Sequence, residues 1–359
     1  MISLNDAGGR TRPIRVLIAE DSATARRLLV SIFSAEPDFE VIGEATTGAE
    51  AVEQTIEQSP DLVTMDIHMP VLDGLDATKE IMREAPTPIL IVTSAAIHDV
   101  QLSLNALQAG ALMVLEKPHG PHAPGFDFQR DQLLSMARAM ADVKVVRRWG
   151  AGSGSFAPVK RTPVSRERSA QPARAIAIAA STGGPAAVRK LLLTLPRDLP
   201  VPVFLVQHIS NGFVGGLVSW LDTDCPLRVV MAIDRDTPVA GTVYVAPDDR
   251  HLTVGADERM KLIDAAPVQG FRPSADVLFD SAGRAYGSRL VAVTLTGMGR
   301  DGVDGLKTVH KNGGFVIAQD EDSSVVFGMA KEAVEAGVVD EVLPVERIAE
   351  RLVSLVRRT

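Results

Sequence analysis

The stretch IAIAASTGGP, from Ile176 to Pro185, decides how the second half of this chain is built. It continues an apolar run that begins at Ala175, and such a run is typical of a strand buried on both faces. The run ends at Ser181, and a helix-like pattern follows over residues 186–195. Ser181 is therefore predicted at the carboxyl end of a buried strand, where open α/β sheets bind their ligands.

This stretch alone leaves two interpretations of Ser181 open. In the first, Ser181 is an N-cap residue that starts an ordinary helix. In the second, Gly183 and Gly184 leave backbone N–H groups accessible, and these groups hold an oxyanion or a phosphate. The choice between them depends on what the rest of the chain places near Ser181.

Length and composition indicate a soluble protein of two or three domains. The chain has 359 residues, 46% of them hydrophobic and 23% charged, and its formal net charge of −8 argues against nucleic acid as the main partner. The single cysteine, Cys225, cannot form an internal disulfide. No segment has the roughly 18 apolar residues of a membrane span, and the N-terminus lacks a signal-peptide core. We expect a cytoplasmic monomer without membrane insertion.

Residues 14–148 alternate strand-like and helix-like patterns, which predicts a parallel sheet with helices on both faces. A helix over residues 126–146 closes this region. The predicted strands cover residues 15–19, 39–45, 61–65, 89–93 and 111–115.

Polar side chains stand where these strands end. Glu20 and Asp21 follow the first strand, and Asp66 follows the third. Thr93 ends the fourth strand, and Lys117 follows the fifth. The carboxyl ends of parallel strands share one edge of a sheet, so we expect these side chains to converge. Clustered carboxylates call for a cation, and all-oxygen ligands suit Mg²⁺. The hydroxyl and the lysine can then hold an incoming phosphoryl group.

This region resembles the receiver domain of two-component response regulators. The resemblance covers residues 14–146 and rests on these residues: Glu20-Asp21, the run Met65-Asp66-Ile67-His68-Met69-Pro70 with Asp73-Gly74, then Thr93 and Lys117-Pro118. It implies a flavodoxin-like fold in which a histidine kinase phosphorylates Asp66. Thr93 and Lys117 would contact the phosphoryl oxygens. The implied Mg²⁺ ligands are Glu20, Asp21, Asp66 and the backbone carbonyl of His68.

One position departs from the receiver pattern. Receivers usually carry an aromatic residue three positions before the lysine, where this chain has Val114. We therefore expect the usual threonine–aromatic switch to be altered.

Residues 149–172 are rich in Gly, Ser, Pro and Arg and have no periodic apolar face, which predicts a flexible linker. A second α/β alternation occupies residues 173–359. It predicts a doubly wound, mostly parallel sheet with an antiparallel hairpin at its edge. The predicted strands cover residues 175–180, 203–207, 242–246, 290–295, 315–318 and 338–342, and the hairpin covers 252–254 and 260–262.

Ser181 has two candidate partners at the same edge of the second sheet. Of the seven histidines, His208 alone directly follows a buried strand of this sheet. Asp301 follows the predicted strand 290–295 and a glycine-rich turn. These positions suit a nucleophile, a base and an orienting carboxylate. The chain order Ser, His, Asp and the sequence AASTG around Ser181 disfavour an ordinary α/β-hydrolase.

The same region contains a competing motif. Residues 297–302 read GMGRDG, a literal G-x-G-x-x-G between a strand and a helix, and Asp320 follows about twenty residues later, as in dinucleotide-binding sites. However, Asp301 would place negative charge inside the pyrophosphate loop, and the motif comes late in its domain. Dinucleotide binding is therefore the less favoured alternative.

The second region resembles the catalytic domain of chemotaxis protein-glutamate methylesterases, the CheB family. The resemblance rests on STGGP at 181–185, Gln207-His208, YVAP at 244–247 with DRHL at 249–252, RPSADVLF at 272–279, TGMGRDG at 296–302, AQD at 318–320 and SVVFGM at 324–329. Departures are Ile-Ser-Asn at 209–211, where Met-Pro-Pro is common, and Ala330, where proline is common.

The resemblance implies hydrolysis of glutamate γ-methyl esters on methyl-accepting chemotaxis receptors, with release of methanol, and deamidation of certain receptor glutamines. In that reaction Ser181 would be the nucleophile, His208 the general base and Asp301 the orienting acid. The Met298 N–H is a candidate oxyanion donor, and the reaction needs no cofactor. The alternative is a phosphate-switched binding or scaffold protein with an inactive hydrolase-like domain.

Overall fold

The computed structural model describes residues 12–94, 106, 109–121, 123, 125–141, 143, 172–209 and 212–357. These residues fall into two compact units, one before residue 144 and one after residue 171. The predicted linker lies outside the described residues, apart from Pro172. Among the described helices, none combines the length and the apolar character needed to cross a membrane.

The N-terminal unit is a five-stranded parallel sheet with the strand order β2-β1-β3-β4-β5. The order changes direction beside β1, so the carboxyl ends of β1 and β3 are neighbours at the point where such sheets bind ligands. The strands are β1 Ile14–Ala19, β2 Phe39–Ala45, β3 Leu62–Met65, β4 Ile89–Thr93 and β5 Met113–Glu116; the described helices are α1 Ala23–Ser34, α2 Gly48–Gln58, α3 Gly74–Glu84 and α4 Phe126–Ala141.

The C-terminal unit contains a seven-stranded sheet in which every neighbouring pair is parallel, with the order β14-β13-β12-β6-β7-β9-β8. Its strands are β6 Ala175–Ala180, β7 Val203–Gln207, β8 Arg228–Met231, β9 Thr242–Val245, β12 Leu290–Thr294, β13 Phe315–Gln319 and β14 Glu341–Leu343. The helices are α5 Gly184–Thr194, α6 Val214–Asp224, α7 Ala275–Tyr286, α8 Val303–Lys311, α9 Met329–Glu335 and α10 Val345–Val356.

The strand β6 carries the core of this unit on both faces. Its isoleucines, Ile176 and Ile178, pack with side chains of α5, α6 and α10. Its alanines Ala175, Ala177 and Ala179 face the opposite layer, which includes buried side chains of α7 and α8. The strand order changes direction at β6, because later strands add on both of its sides. Ser181 therefore follows the strand at the switch point.

The predicted hairpin is present, but its predicted place at the sheet edge is wrong. The strands β10 His251–Val254 and β11 Met260–Ile263 pair antiparallel in a sheet of their own. Leu252 and Met260 are buried in one cluster with Phe279 of α7. The hairpin buries its apolar face on that layer instead of extending the main sheet.

The edges of the large sheet are β8 and β14, and sequence patterns located them poorly. β8 has four residues, and only Val229 among them is fully buried, so its pattern is too short to predict a strand. β14 begins at Glu341 rather than at residue 338. The reason is that Asp340, the residue before β14, contacts Val316 of β13 partly through its side chain. Its backbone N–H donates to the Val316 carbonyl, but its carboxylate, not a backbone carbonyl, accepts from the Val316 N–H.

Candidate functional sites

Ser181 stands on the turn between β6 and α5. Its backbone N–H donates to the carbonyl oxygen of Thr296 at 3.0 Å, and its carbonyl accepts from the Gly184 N–H at 2.8 Å. The N-cap of α5 is Gly183, so the N-cap interpretation of Ser181 is wrong. Ala180 is fully buried, whereas Ser181 is partly exposed. The turn thus presents a hydroxyl-bearing residue at the edge of the sheet.

His208 occupies the adjacent strand end. β6 and β7 are paired up to Ala180 and Gln207, and the His208 N–H then donates to the Ala180 carbonyl at 2.9 Å. The buried Gln207 side chain hydrogen-bonds to the residue after each of these two strands. Its Nε2 donates to the carbonyl oxygens of Ser181, at 2.8 Å, and of His208, at 3.0 Å. The backbone positions of the predicted nucleophile and base are therefore coupled.

The third residue, Asp301, contacts His208 directly. His208 Nε2 lies 2.8 Å from Asp301 Oδ2, and the two side chains are only 7% and 1% exposed. The Asp301 carboxylate also accepts from Ser274 Oγ at 2.7 Å and from the Ala275 N–H at 2.7 Å. The structure thus brings together the backbone turn of Ser181 and the side chains of His208 and Asp301.

Asp301 is held in its ionised form. Burial by itself raises the pKa of this carboxyl, but the hydrogen bonds from His208, Ser274 and Ala275 outweigh it and hold the pKa below its ordinary value. A carboxylate accepts hydrogen bonds only, so in neutral His208 the proton belongs on Nε2. His208 Nδ1 is then the basic nitrogen. It is buried, and no hydrogen-bond partner for it exists among the described residues. This arrangement can remove a proton from a nearby hydroxyl.

The turn that carries Met298 has two successive backbone N–H groups, those of Gly297 and Met298, and only the first is seen in a backbone hydrogen bond within the described residues. The Gly297 N–H donates to the Val326 carbonyl at 3.0 Å. None of the backbone hydrogen bonds found in the described part of the chain uses the Met298 N–H. A Cβ atom on Gly297 would lie 2.8 Å from Ser181 Cβ, so this turn approaches the serine closely. Met298 remains the predicted oxyanion donor.

The geometry argues against a dinucleotide at residues 297–302. The N–H groups of Gly302 and Gly305, at the start of α8, donate to Asp276 Oδ1 at 3.0 and 2.8 Å. A carboxylate therefore already occupies the position where a pyrophosphate would bind a helix N-terminus. Asp320, the expected ribose ligand, accepts instead from the backbone and hydroxyl of Ser323.

The N-terminal unit has its own cluster of charged side chains. Glu20, Asp21 and Asp66 offer carboxylate oxygens that all lie within 4.8 Å of one another. Lys117 Nζ lies 2.8 Å from Asp66 Oδ2 and 2.8 Å from Glu20 Oε2. Thr93 is buried at the end of β4, and its carbonyl accepts from the Lys117 N–H at 3.2 Å. The cluster lies at the switch point of this sheet.

In this cluster Lys117 stabilises the carboxylates, whereas the carboxylates repel one another. Burial raises the pKa of Glu20, the hydrogen bond from Lys117 lowers it and the neighbouring Asp66 raises it, and the net pKa lies above its ordinary value. Burial lowers the pKa of Lys117, but hydrogen bonds to Asp66 and Glu20 outweigh this and raise it. Lys117 therefore remains an ammonium group between two carboxylates.

The donor set fits Mg²⁺. Three carboxylates supply hard oxygen ligands, and the exposed Asp21 leaves one side of the cluster accessible. Glu20 Oε2 is buried and lies near Lys117 Nζ, yet no well-directed hydrogen bond to it is found in the described part of the chain. His68 is exposed two residues after Asp66, and the role of its carbonyl stays a prediction. Val114 lies in β5, so no aromatic ring occupies that position.

Several residues that support His208 are not predicted by the sequence patterns. Gln207, Ser274 and Asp276 lie within the family motifs but have no assigned role there, and Phe271 lies outside those motifs. The Phe271 ring stacks on the His208 ring, with centroids 4.0 Å apart and planes 7° apart. The RPSAD run at 272–276 was the available signal, since it places two polar side chains directly at a predicted helix start.

Family models match both halves of the chain. Residues 16–123 match the response regulator receiver domain, and residues 176–352 match the CheB methylesterase. Similar full-length proteins carry the name protein-glutamate methylesterase/protein-glutamine glutaminase. One, from Myxococcus xanthus (strain DK1622), is 50% identical over 345 residues, 96% of this chain and 98% of the relative. Another, from Anaeromyxobacter dehalogenans (strain 2CP-C), is 48% identical over 346 residues, 96% of this chain and 100% of the relative.

A solved structure supports the fold of the C-terminal unit. The crystal structure of the Thermotoga maritima CheB methylesterase catalytic domain matches with a TM-score of 0.50 and 39% sequence identity. The match covers 51% of this chain and 98% of that domain.

Proposed function

From the premise that this chain belongs to the CheB methylesterase family, with a response regulator receiver domain at its N-terminus, we propose that Ser181, His208 and Asp301 hydrolyse glutamate γ-methyl esters of chemoreceptors. As a family member the chain is an enzyme of chemotaxis adaptation, a protein-glutamate methylesterase and protein-glutamine glutaminase. The proposals concern the residues that act, the receptors that serve as substrate and the kinase that donates phosphate.

In the proposed reaction Ser181 Oγ attacks the ester carbonyl carbon while His208 Nδ1 takes the hydroxyl proton. The negative charge that forms on the carbonyl oxygen is stabilised by backbone donors, of which the Met298 N–H is the candidate. His208 Nδ1–H then protonates the departing methoxy group, and methanol leaves an acyl-enzyme. Water, deprotonated by His208, attacks the acyl-enzyme and releases glutamate and free Ser181. Deamidation follows the same steps, with ammonia as the leaving group.

Asp301 keeps its negative charge throughout. It orients the imidazole through Nε2 and stabilises the imidazolium that forms when Nδ1 is protonated. The observation that carries the proposal is the buried 2.8 Å contact between His208 Nε2 and Asp301 Oδ2, at the strand end beside Ser181.

We further propose that the receiver unit regulates this activity through phosphorylation of Asp66. Asp66 Oδ1 accepts from the Ile67 N–H at 2.8 Å, whereas Oδ2 faces the Lys117 ammonium group. In this proposal the second oxygen accepts the phosphoryl group, and Lys117 then contacts the phosphoryl oxygens. Mg²⁺, when held by Glu20, Asp21 and Asp66, would neutralise charge on the incoming group. The proposed phosphodonor is a chemotaxis histidine kinase, and we place the enzyme in the cytoplasm as a monomer.

The decisive experiment measures methanol release from methylated receptors, with the full-length chain, in the presence and absence of a small phosphodonor and Mg²⁺. We expect release by the unmodified chain and faster release with the phosphodonor. Binding to receptors without any methanol release would instead support the scaffold alternative.

A further inference from the structure

Two buried carboxylates in the C-terminal unit cap each other's helices. Asp301, just before α8, accepts from the N–H groups of Ala275 and Asp276 at the start of α7, at 2.7 and 3.1 Å. Asp276 in turn accepts from the N–H groups at the start of α8, through Oδ1. Each negative charge therefore lies at the positive end of the other residue's helix, which favours this placement. The position of Asp301 depends on Asp276.

The other carboxylate oxygen of Asp276, Oδ2, accepts a hydrogen bond from the turn at residues 268–271. Gln269 Nε2 donates to Asp276 Oδ2 at 2.8 Å. Gln269 and Gly270 have φ values of 52° and 87°, and the flanking residues Val268 and Phe271 exchange two backbone hydrogen bonds, at 3.0 and 2.9 Å. These are the marks of a tight two-residue β-turn. The turn ends in Phe271, whose ring lies flat on His208.

Asp276 is therefore connected to His208 by two routes. One route runs through the start of α8 to Asp301, which sets the direction of Nε2. The other runs through Gln269 to Phe271, which sets the plane of the ring. A single hydrogen bond at Nε2 leaves the imidazole free to rotate about the bond axis, and a stacked ring removes this freedom. Both constraints are needed to keep Nδ1 in one direction.

We propose that Asp276 is a positioning residue for ester hydrolysis, which fixes the His208 ring through the Asp301 loop and through the turn that carries Phe271. This proposal rests on the function proposed above. Asp276 is buried, and both its oxygens are used by protein donors, so it acts through other residues and does not touch the substrate. Small errors in the direction of a general base reduce the rate strongly, because proton transfer requires alignment.

The central test is the exchange of donor and acceptor between Asp276 and Gln269. In Gln269→Glu two carboxylates face each other and neither can donate, so the hydrogen bond between Asp276 and the turn is lost. We expect kcat for methanol release to fall about 10- to 100-fold with little change in KM. Asp276→Asn alone should lower kcat less, because Asn Oδ1 can still accept from α8 while the Gln269 amide turns over to accept from the new NH₂ group. The double variant Asp276→Asn/Gln269→Glu restores one donor and one acceptor at unchanged net charge, so kcat should recover to within roughly threefold of the unmodified chain.

A matched control separates positioning from helix packing. Asp280 lies on the same helix and accepts from Thr308 Oγ1 of α8 at 2.8 Å, but no bond connects it to Asp301 or Gln269. Asp280→Asn should leave kcat unchanged. Phe271→Leu removes the stacked ring without touching either helix cap, and it should lower kcat even if Gln269→Glu does not fold.

A second readout requires no substrate. ¹⁵N NMR of the histidine rings in the full-length chain should show His208 as a single Nε2–H tautomer, and Gln269→Glu and Phe271→Leu should both produce a tautomer mixture. If the unmodified chain releases no methanol, the proposed function is wrong, and the tautomer measurement still decides the positioning role. If both variants keep the kcat and the spectra of the unmodified chain, the inference is overturned. Equal losses in Gln269→Glu, the double variant and Asp280→Asn would also overturn it.

Discussion

His208 points Nε2, not Nδ1, at Asp301, with 2.8 Å between His208 Nε2 and Asp301 Oδ2. In the chymotrypsin-type arrangement the acid contacts Nδ1 and the serine contacts Nε2. Here the two nitrogens exchange roles, and Nδ1 is the nitrogen left for Ser181. The exchange leaves the catalytic chemistry unchanged, because either nitrogen of a neutral imidazole can be the base once the other donates its proton in a hydrogen bond.

Ser181→Ala should abolish methanol release and leave the fold intact, because the side chain stands on a partly exposed turn. Loss of a nucleophile of this kind typically lowers kcat by about 10⁴- to 10⁶-fold. The measurement is kcat on methylated receptors, with circular dichroism as the check on folding. A folded variant with near-normal activity would contradict the assignment of the nucleophile.

Asp301→Asn should lower both activity and stability. Each Asp301 oxygen accepts a backbone N–H, from Ala275 or from Asp276, so the new NH₂ group faces a fixed donor in either orientation. Where it takes the Oδ2 position it also forces the wrong tautomer on His208, and we expect a loss of up to about 10⁴-fold in kcat. The pKa of Asp301 lies below its ordinary value of 3.8, so its carboxylate stabilises the fold fully above about pH 4, and this stabilisation disappears as the pH falls further.

The check is the free energy of unfolding as a function of pH. The difference between the unmodified chain and Asp301→Asn should shrink as the pH falls below about 4. A difference that grows as the pH falls below about 4 would mean that the pKa of Asp301 is raised, contrary to the geometry.

Asp66→Asn should prevent phosphorylation, because it removes the oxygen that accepts the phosphoryl group. Glu20, Asp21 and Lys117 remain, so the unit should stay folded. Intact-mass measurement after incubation with a small phosphodonor and Mg²⁺ should show added phosphate only on the unmodified chain. Asp21→Asn is the matched control: it keeps the acceptor and should only raise the Mg²⁺ concentration required. Phosphate on Asp66→Asn at unmodified levels would move the acceptor to another residue.

Gly297→Ala should disturb the serine turn by crowding. The added Cβ would lie 2.4 Å from Met329 Sδ and 2.8 Å from Ser181 Cβ, both closer than real Cβ contacts. We expect a loss of about 1–3 kcal/mol in the free energy of unfolding, together with reduced kcat. Gly215→Ala, in α6, has no heavy atom within 4 Å of the new Cβ and should be neutral or slightly stabilising. Equal behaviour of the two variants would argue against close packing at Gly297.

Local patterns in the sequence determined the strand ends. Uninterrupted apolar runs such as 175–180 and 203–207 mark buried parallel strands, because both faces of such strands are covered. The residue after each run then lies at a known edge of the sheet. Ser181 and His208 directly follow such runs and Asp301 follows a turn after one, so the runs predict all three at one edge. In the same way they predict Glu20, Asp66 and Lys117 at the edge of the other sheet. They do not predict β8, since a short edge strand with few buried residues has no such run.

Only the tertiary structure decided how these ends are fixed. The reciprocal caps join Asp276 and Asp301, which are 25 residues apart, and the Phe271 ring reaches His208 across an even longer separation. Neither contact leaves a periodic pattern in the chain, because each depends on how α7 packs against α8 and on where one turn ends. The hairpin likewise carries a clear strand signal, but its place is set by the side chains of α7 that it buries. Periodicity reports which face of an element is buried, whereas packing alone decides what lies against that face.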